Sequence, residues 1–155
     1  MSSLVCDPID AIMAVMEAAF DPDFGEAWNR RQVGDALALG NCRYYLSDRK
    51  GRMPARPEDA AGFILSRQAL DEEELLLIAV RPEWRRKGIA SALFARFAAD
   101  ARSRGVHKIF LEMRKGNSAG NFYTEIGFDV IGSRPNYYNR GRIRGIDAIT
   151  YAIEI

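Results

Sequence analysis

The chain has little with which to hold a metal or to cross-link itself. It carries one histidine, His107, and two cysteines, Cys6 and Cys42, which form no Cys-x-x-Cys pair. That set cannot supply the four Cys or His ligands of a structural zinc site, so no metal is expected. A solitary histidine also makes no case for a Ser–His or Cys–His nucleophile pair. Long apolar runs are missing too. The strongest, Leu75 to Val80, falls far short of the roughly 20 residues that span a bilayer. The opening MSSLVCDPID has no basic n-region and no apolar h-region, so no signal peptide is expected. Charge of one sign is absent as well: 22 Lys and Arg face 21 Asp and Glu, a formal net charge of +1. Such a balance gives no global field for nucleic acid or for a membrane surface.

What is present is an ordinary globular composition, 48% hydrophobic over 155 residues. It predicts one domain, residues 1–155, reduced and cytoplasmic, as a monomer or homodimer. Leu4-Val5-Cys6 reads as a short first strand. Asp7 and Pro8 then signal a helix start, and Ile9, Ile12, Met13, Met16 and Phe20 recur at helical spacing. The break DPDFG precedes a weaker helix expected from Glu26 to Leu39. Strands are expected at Cys42 to Ser47, Ala60 to Ser66 and Glu74 to Val80, as an antiparallel meander that Arg81-Pro82 stops. Ile89, Leu93, Phe97 and Ala101 define an amphipathic helix ending near Gly105. A strand at Lys108 to Met113, a short helix at Ser118 to Ile126 with Gly127 as its cap, and strands at Phe128 to Ser133 and Ile146 to Ile155 complete the order. That order is β-α-α-β-β-β-α-β-α-β-β, an α/β domain with a mixed sheet.

The stretch PEWRRKGIASALF, residues 82–94, places Arg85, Arg86 and Lys87 immediately before a helix start. A helix N-terminus already carries partial positive charge and unpartnered N–H groups. Gly88 lets the backbone bend and lets a ligand approach without a Cβ in the way. Two readings stand: a site for a phosphate or pyrophosphate, or a solvated basic turn. The Walker and dinucleotide glycine motifs are both absent.

The pattern Arg85-x-x-Gly88-x-Ala90 resembles the Arg/Gln-x-x-Gly-x-Gly/Ala signature of the GNAT superfamily of acetyltransferases. The resemblance implies a loop, Arg85 to Ser91 with Ile89 and Ala90 opening the helix, whose amides hold the pyrophosphate of acetyl-coenzyme A. Ile78-Ala79-Val80-Arg81-Pro82 resembles the family's IAV-x-P strand end, implying that Ile78, Ala79 and Val80 meet the pantetheine arm. Asn117, Ala119 and the run Phe122 to Phe128 resemble the N…A…(L/F)Y-x-x-x-GF block, implying that Asn117 touches the coenzyme. The gap from Asn117 to Tyr123 is one residue shorter than in that block. Leu111-Glu112-Met113-Arg114 resembles the LEVR strand of the ribosomal-protein-alanine N-acetyltransferases. Arg134-Pro135-Asn136-Tyr137-Tyr138, followed by Asp147-Ala148-Ile149, resembles their ending. The fold implied is the GNAT fold, a mixed sheet of about six to seven strands with about four helices. Over the first 60 residues only the element order carries the resemblance.

The chemistry asks for a neutral amine and for a proton on the departing thiolate. A free α-amine has a pKa near 8, whereas lysine lies near 10.4, so an enzyme for N-termini can work with a modest base. Glu112, set in an apolar strand, is either a partly buried base or a strand-end carboxylate paired with an arginine. Tyr123 is either an acid or a core aromatic. The resemblance implies base and acid, respectively. His107 reads as a surface residue, Ser91 as a first-turn residue and Trp84 as packing under the loop. The acids Asp21, Asp23 and Glu26 read as a solvated loop that could attract a basic peptide. Arg134, Arg140, Arg142 and Arg144 read as a solvated hairpin that could reach RNA. The activity implied is acetyl transfer from acetyl-coenzyme A to a protein N-terminus, such as the alanine of a ribosomal protein. The competing readings are a small-molecule amine acetyltransferase, a non-catalytic acyl-coenzyme A-binding module and a weak RNA binder.

Overall fold

The computed structural model describes residues 6–21, 25–140 and 143–155, with backbone alone at 139, 140, 143 and 144. Asp7 accepts from the Ile9 amide and Pro8 occupies the first turn, which starts helix α1 at Pro8–Ala19. Helix α2, Arg30–Ala38, begins four residues later than its expected start. Asn29 and Gln32 cap each other's backbone there, a reciprocal box that sets the first turn and leaves Glu26 in the preceding loop. Strands β1 (Cys42–Asp48), β2 (Ala60–Ala69) and β3 (Glu72–Val80) follow. Helix α3 (Ile89–Ser103), β4 (Lys108–Arg114), α4 (Ala119–Glu125), β5 (Asp129–Arg140) and β6 (Ile143–Glu154) complete the chain. Of the expected first strand, Leu4 and Val5 lie outside the described residues, and Cys6 belongs to no regular element. The last two strands run longer than expected because they pair with each other as one extended hairpin.

The six strands form a single mixed sheet ordered β1-β2-β3-β4-β6-β5. Every neighbouring pair is antiparallel except β3 and β4, which run parallel. That parallel ladder is short: it joins Glu72, Glu73 and Glu74 to Lys108, Ile109 and Phe110 and then stops. Against β2 the register slips at this level, Leu65 facing Leu77 and Ser66 facing Leu75, so Leu76 is the extra residue of a bulge. A bulge bends its strand and strengthens the local twist. Beyond it, β3 and β4 separate, and a split opens in the middle of the sheet toward their C-terminal ends.

The two faces are covered differently. Ile89, Leu93, Phe94, Phe97, Ala98 and Ala101 of α3 are all buried, the stripe expected from their spacing, and they pack with Ile109, Leu111, Met113, Tyr123, Phe128 and Tyr151. On the other face Ile12, Val15 and Met16 of α1 and Val33 of α2 pack on Leu46, Phe63, Leu65 and Ala79. Away from the split, a polar cluster ties α3 to the meander. Glu73 is fully buried, accepts from Ser66 at 2.5 Å and lies 2.8 Å from the Arg104 guanidinium, close but poorly aligned for a hydrogen bond. Arg104 also donates to the Tyr45 hydroxyl, which in turn donates to Asp100 at 2.5 Å.

Candidate active site

The split ends at the loop that carries the three cations. After β3 the chain makes one 3₁₀ turn, Pro82–Trp84, in which Trp84 packs on the α3 core beneath the loop while Arg49 lies over its ring. Arg86 then adopts a left-handed backbone, φ 62°, and Gly88 does so again, φ 81°. For a non-glycine residue that conformation costs about 1–2 kcal/mol. Paired turns of this kind curl successive N–H groups into an anion-binding concavity. Helix α3 starts directly from Gly88, with no side chain capping it and no acidic residue in its first turn. By contrast α1 and α2 are both capped by side chains. The amides of Ile89, Ala90 and Ser91 therefore point outward at the positive end of the longest helix, which is what an anion needs. Ile78 is half-buried and Ala79 and Val80 are buried at the mouth of the split. Arg86, Lys87, Gly88 and Ser91 are exposed beside it. Arg85 is the exception among the expected phosphate contacts. Its Nε donates to the Val80 carbonyl at 2.9 Å, and a terminal nitrogen donates to the Ala19 carbonyl at 3.0 Å.

Strand alternation separates the two titratable candidates. Ile109, Leu111 and Met113 turn toward α3, so Glu112 and Arg114 turn to the face that bears α1. Glu112, with a side chain 19% exposed, lies 3.1 Å from Nε of Arg134 and accepts from the Thr150 hydroxyl at 3.2 Å. The arginine pairing is therefore real, and Arg134 is not the free solvated residue that its Arg-rich surroundings implied. It also stacks over Tyr137. Arg142 lies outside the described residues. Arg114 approaches Glu26 at 3.3 Å, off-line for a hydrogen bond, so Glu26 of the α1–α2 connection is held close to the strand of Glu112. Asp21 is exposed, and Asp23 lies outside the described residues.

Tyr123 comes from the opposite side. It is buried in an edge-to-face cluster with Phe122 and Phe128, and its ring lies 5.9 Å from that of Tyr151. Burial pushes its hydroxyl above the ordinary phenol range, with the neighbouring Tyr151 and the negative field of Glu26 adding to the effect. Tyr151, which the sequence did not single out, packs against α4 so closely that a Cβ at Gly120 would lie 2.9 Å from its hydroxyl. Gly120 thus leaves room for Tyr151. Asn117 accepts from the Ala119 amide at 2.9 Å and so helps to start α4, the helix that carries Tyr123. His107 is exposed, 3.2 Å from Asp71, just before β4 at the end where β3 and β4 still pair. Burial raises the pKa of both cysteine thiols, so neither is an activated thiolate. Among the described residues no helix is long and apolar enough to cross a membrane.

A sheet split between its two parallel strands, with the uncapped start of a helix at the mouth of the split, defines an α/β fold open at the C-terminal ends of β3 and β4. A sequence profile of the acetyltransferase (GNAT) family matches residues 13–128, and the chain belongs to that family. It is 35% identical over 77 residues to the [ribosomal protein bS18]-alanine N-acetyltransferase of Haemophilus influenzae, a match covering 50% of this chain and 53% of that one. The chain thus spans about half the length of that relative. To the protein of the same name from Salmonella typhimurium it is 34% identical over 137 residues, 86% of this chain and 92% of the other. The crystal structure of the ribosomal-protein-S18-alanine N-acetyltransferase from Escherichia coli superposes with a TM-score of 0.79 at 27% identity, over 99% of this chain and 92% of that one. The sheet of six strands and the flanking helices match the fold expected for the family.

Proposed function

We propose that the protein transfers the acetyl group of acetyl-coenzyme A to the α-amine of a protein N-terminus, and that an alanine of a small-subunit ribosomal protein is its acceptor. The carrying observation is the disposition of Glu112 and Tyr123 on opposite faces of the split, with the amide nest at its mouth. In this reading the coenzyme enters along the α3 face, its pyrophosphate on the amides of Gly88 to Ser91 and its pantetheine arm along Ile78 to Val80. Arg86 and Lys87 stand beside the phosphates. The amine enters from the α1 face, where Glu112 and Glu26 supply negative charge. The N–C bond forms as the C–S bond breaks. One proton leaves the nitrogen toward Glu112, directly or through water, and one arrives at sulfur.

Tyr123 supplies the donor on the sulfur side. Its raised pKa makes a phenolate costly, so the hydroxyl stabilises the developing thiolate chiefly as a hydrogen-bond donor, and the proton that arrives at sulfur comes from solvent. Among the described residues both thiols are held protonated by burial, which favours direct attack over an acyl-enzyme formed on a cysteine. The names of the relatives support the choice of acceptor. The test is Glu112→Gln with a peptide bearing an N-terminal alanine. The account expects kcat to fall about 10²–10⁴-fold with acetyl-coenzyme A affinity retained. An unchanged kcat would remove Glu112 from the mechanism.

A further inference from the structure

Arg85 opens the phosphate loop, yet its guanidinium faces away from the loop's amides. Its two acceptors are the carbonyl of Val80, the last residue of β3, and that of Ala19, the last residue of α1. The final carbonyls of a helix lack partners and attract cations, and the last turn of α1 has no basic residue of its own. The positive start of α3 repels the same charge. Electrostatics therefore turn Arg85 from the phosphate position to the end of α1. One planar fork thus joins three parts: the strand end at the split, the coenzyme loop, and the helix that leads into the acceptor side.

We propose that Arg85 is a positioning residue that couples the two substrate sides, so that a coenzyme held by the loop also steadies the C-terminal turn of α1. The inference rests on the functional reading above. Arg85→Lys tests it, because an ammonium keeps the positive charge at this position but is a point donor without the fork that reaches both carbonyls. Amide hydrogen exchange over residues 15–21 reports the coupling without any acceptor. Acetyl-coenzyme A slows exchange there in the wild type, and in Arg85→Lys that slowing is lost while coenzyme affinity, measured by calorimetry, stays within about threefold. The peptide KM rises about fivefold or more, the lower end of ordinary coupling energies, with kcat changed less. If exchange in α1 is unaffected by coenzyme in the wild type, or is slowed equally in the variant, the coupling does not exist. If the variant instead loses coenzyme affinity about tenfold while α1 still responds, Arg85 is a phosphate ligand and the proposal is wrong. A wild type that binds no acetyl-coenzyme A contradicts the functional reading itself, and this inference with it.

Discussion

At the scale of single residues, Arg86 holds its backbone left-handed where an L side chain meets its own carbonyl. Such strain persists where the surroundings demand it, and at a functional site it sets the direction of neighbouring N–H groups. Comparing Arg86→Gly with Arg86→Ile separates backbone from charge, since both remove the guanidinium. The glycine variant should be as stable as the wild type or slightly more so, and the β-branched variant about 1–3 kcal/mol less stable in denaturant unfolding. Acetyl-coenzyme A affinity should fall further in the isoleucine variant. Tyr123 makes a second residue-scale prediction. Burial holds its proton, so its ionisation does not shape the rate profile below about pH 10. Tyr123→Phe should lower kcat about 10²-fold or more without moving any limb of the kcat–pH curve in that range. A limb that disappears with the hydroxyl would show that the phenol titrates there.

At the scale of elements, the molecule depends on α3 staying seated while the sheet beneath it divides. The cluster of Tyr45, Asp100, Arg104, Glu73 and Ser66 sits at the end of α3 where β3 and β4 still pair, and it ties the helix to β1, β2 and β3. The hydrogen bond from Tyr45, helped by the Arg104 charge, holds the Asp100 carboxyl below its ordinary pKa. A depressed folded-state pKa stabilises the fold fully above the unfolded value, near pH 4, and the contribution drains away as pH falls through the folded value. Melting temperature should therefore decline below about pH 4, and the decline should be shallower in Tyr45→Phe, where one source of the depression is gone. An equal slope in both proteins would show that this hydrogen bond carries none of the acid sensitivity.

The same scale shows what could be read from the sequence. The seating of α3 was legible because four apolar residues repeat every four positions and nothing competes with that period. The start of α2 was misplaced at Glu26, although Asn29 and Gln32 stand at the spacing of a reciprocal capping box, a signal the sequence did carry. The meander was legible from three strand-like runs, but the split was not. It depends on one bulge at Leu76, a residue indistinguishable by type from its neighbours. Glu112 and Tyr123 were found by resemblance, whereas Arg134, Thr150 and Tyr151 were missed as parts of the site. They reach it only through pairing of β6 with β4 and β5, which brings Arg134 and Thr150 to Glu112, 22 and 38 positions away in sequence.

At the scale of the whole molecule, the sheet is a partition with one opening. In the proposed reading a coenzyme on the α3 face and an amine on the α1 face meet at the split between β3 and β4. The α1 face presents carboxylates at Glu112 and Glu26, each already engaged by an arginine, so it suits a single cationic amine better than a strongly charged acceptor. The modest base this offers matches an α-amine, which is substantially neutral near pH 8, and not a lysine. The most direct test is to incubate the protein with acetyl-coenzyme A and one peptide carrying both a free N-terminal alanine and an internal lysine, then locate the acetyl group by mass spectrometry. The account predicts acetyl on the α-amine alone. Acetyl on the lysine, or no peptide product from a protein that binds the coenzyme, would contradict it.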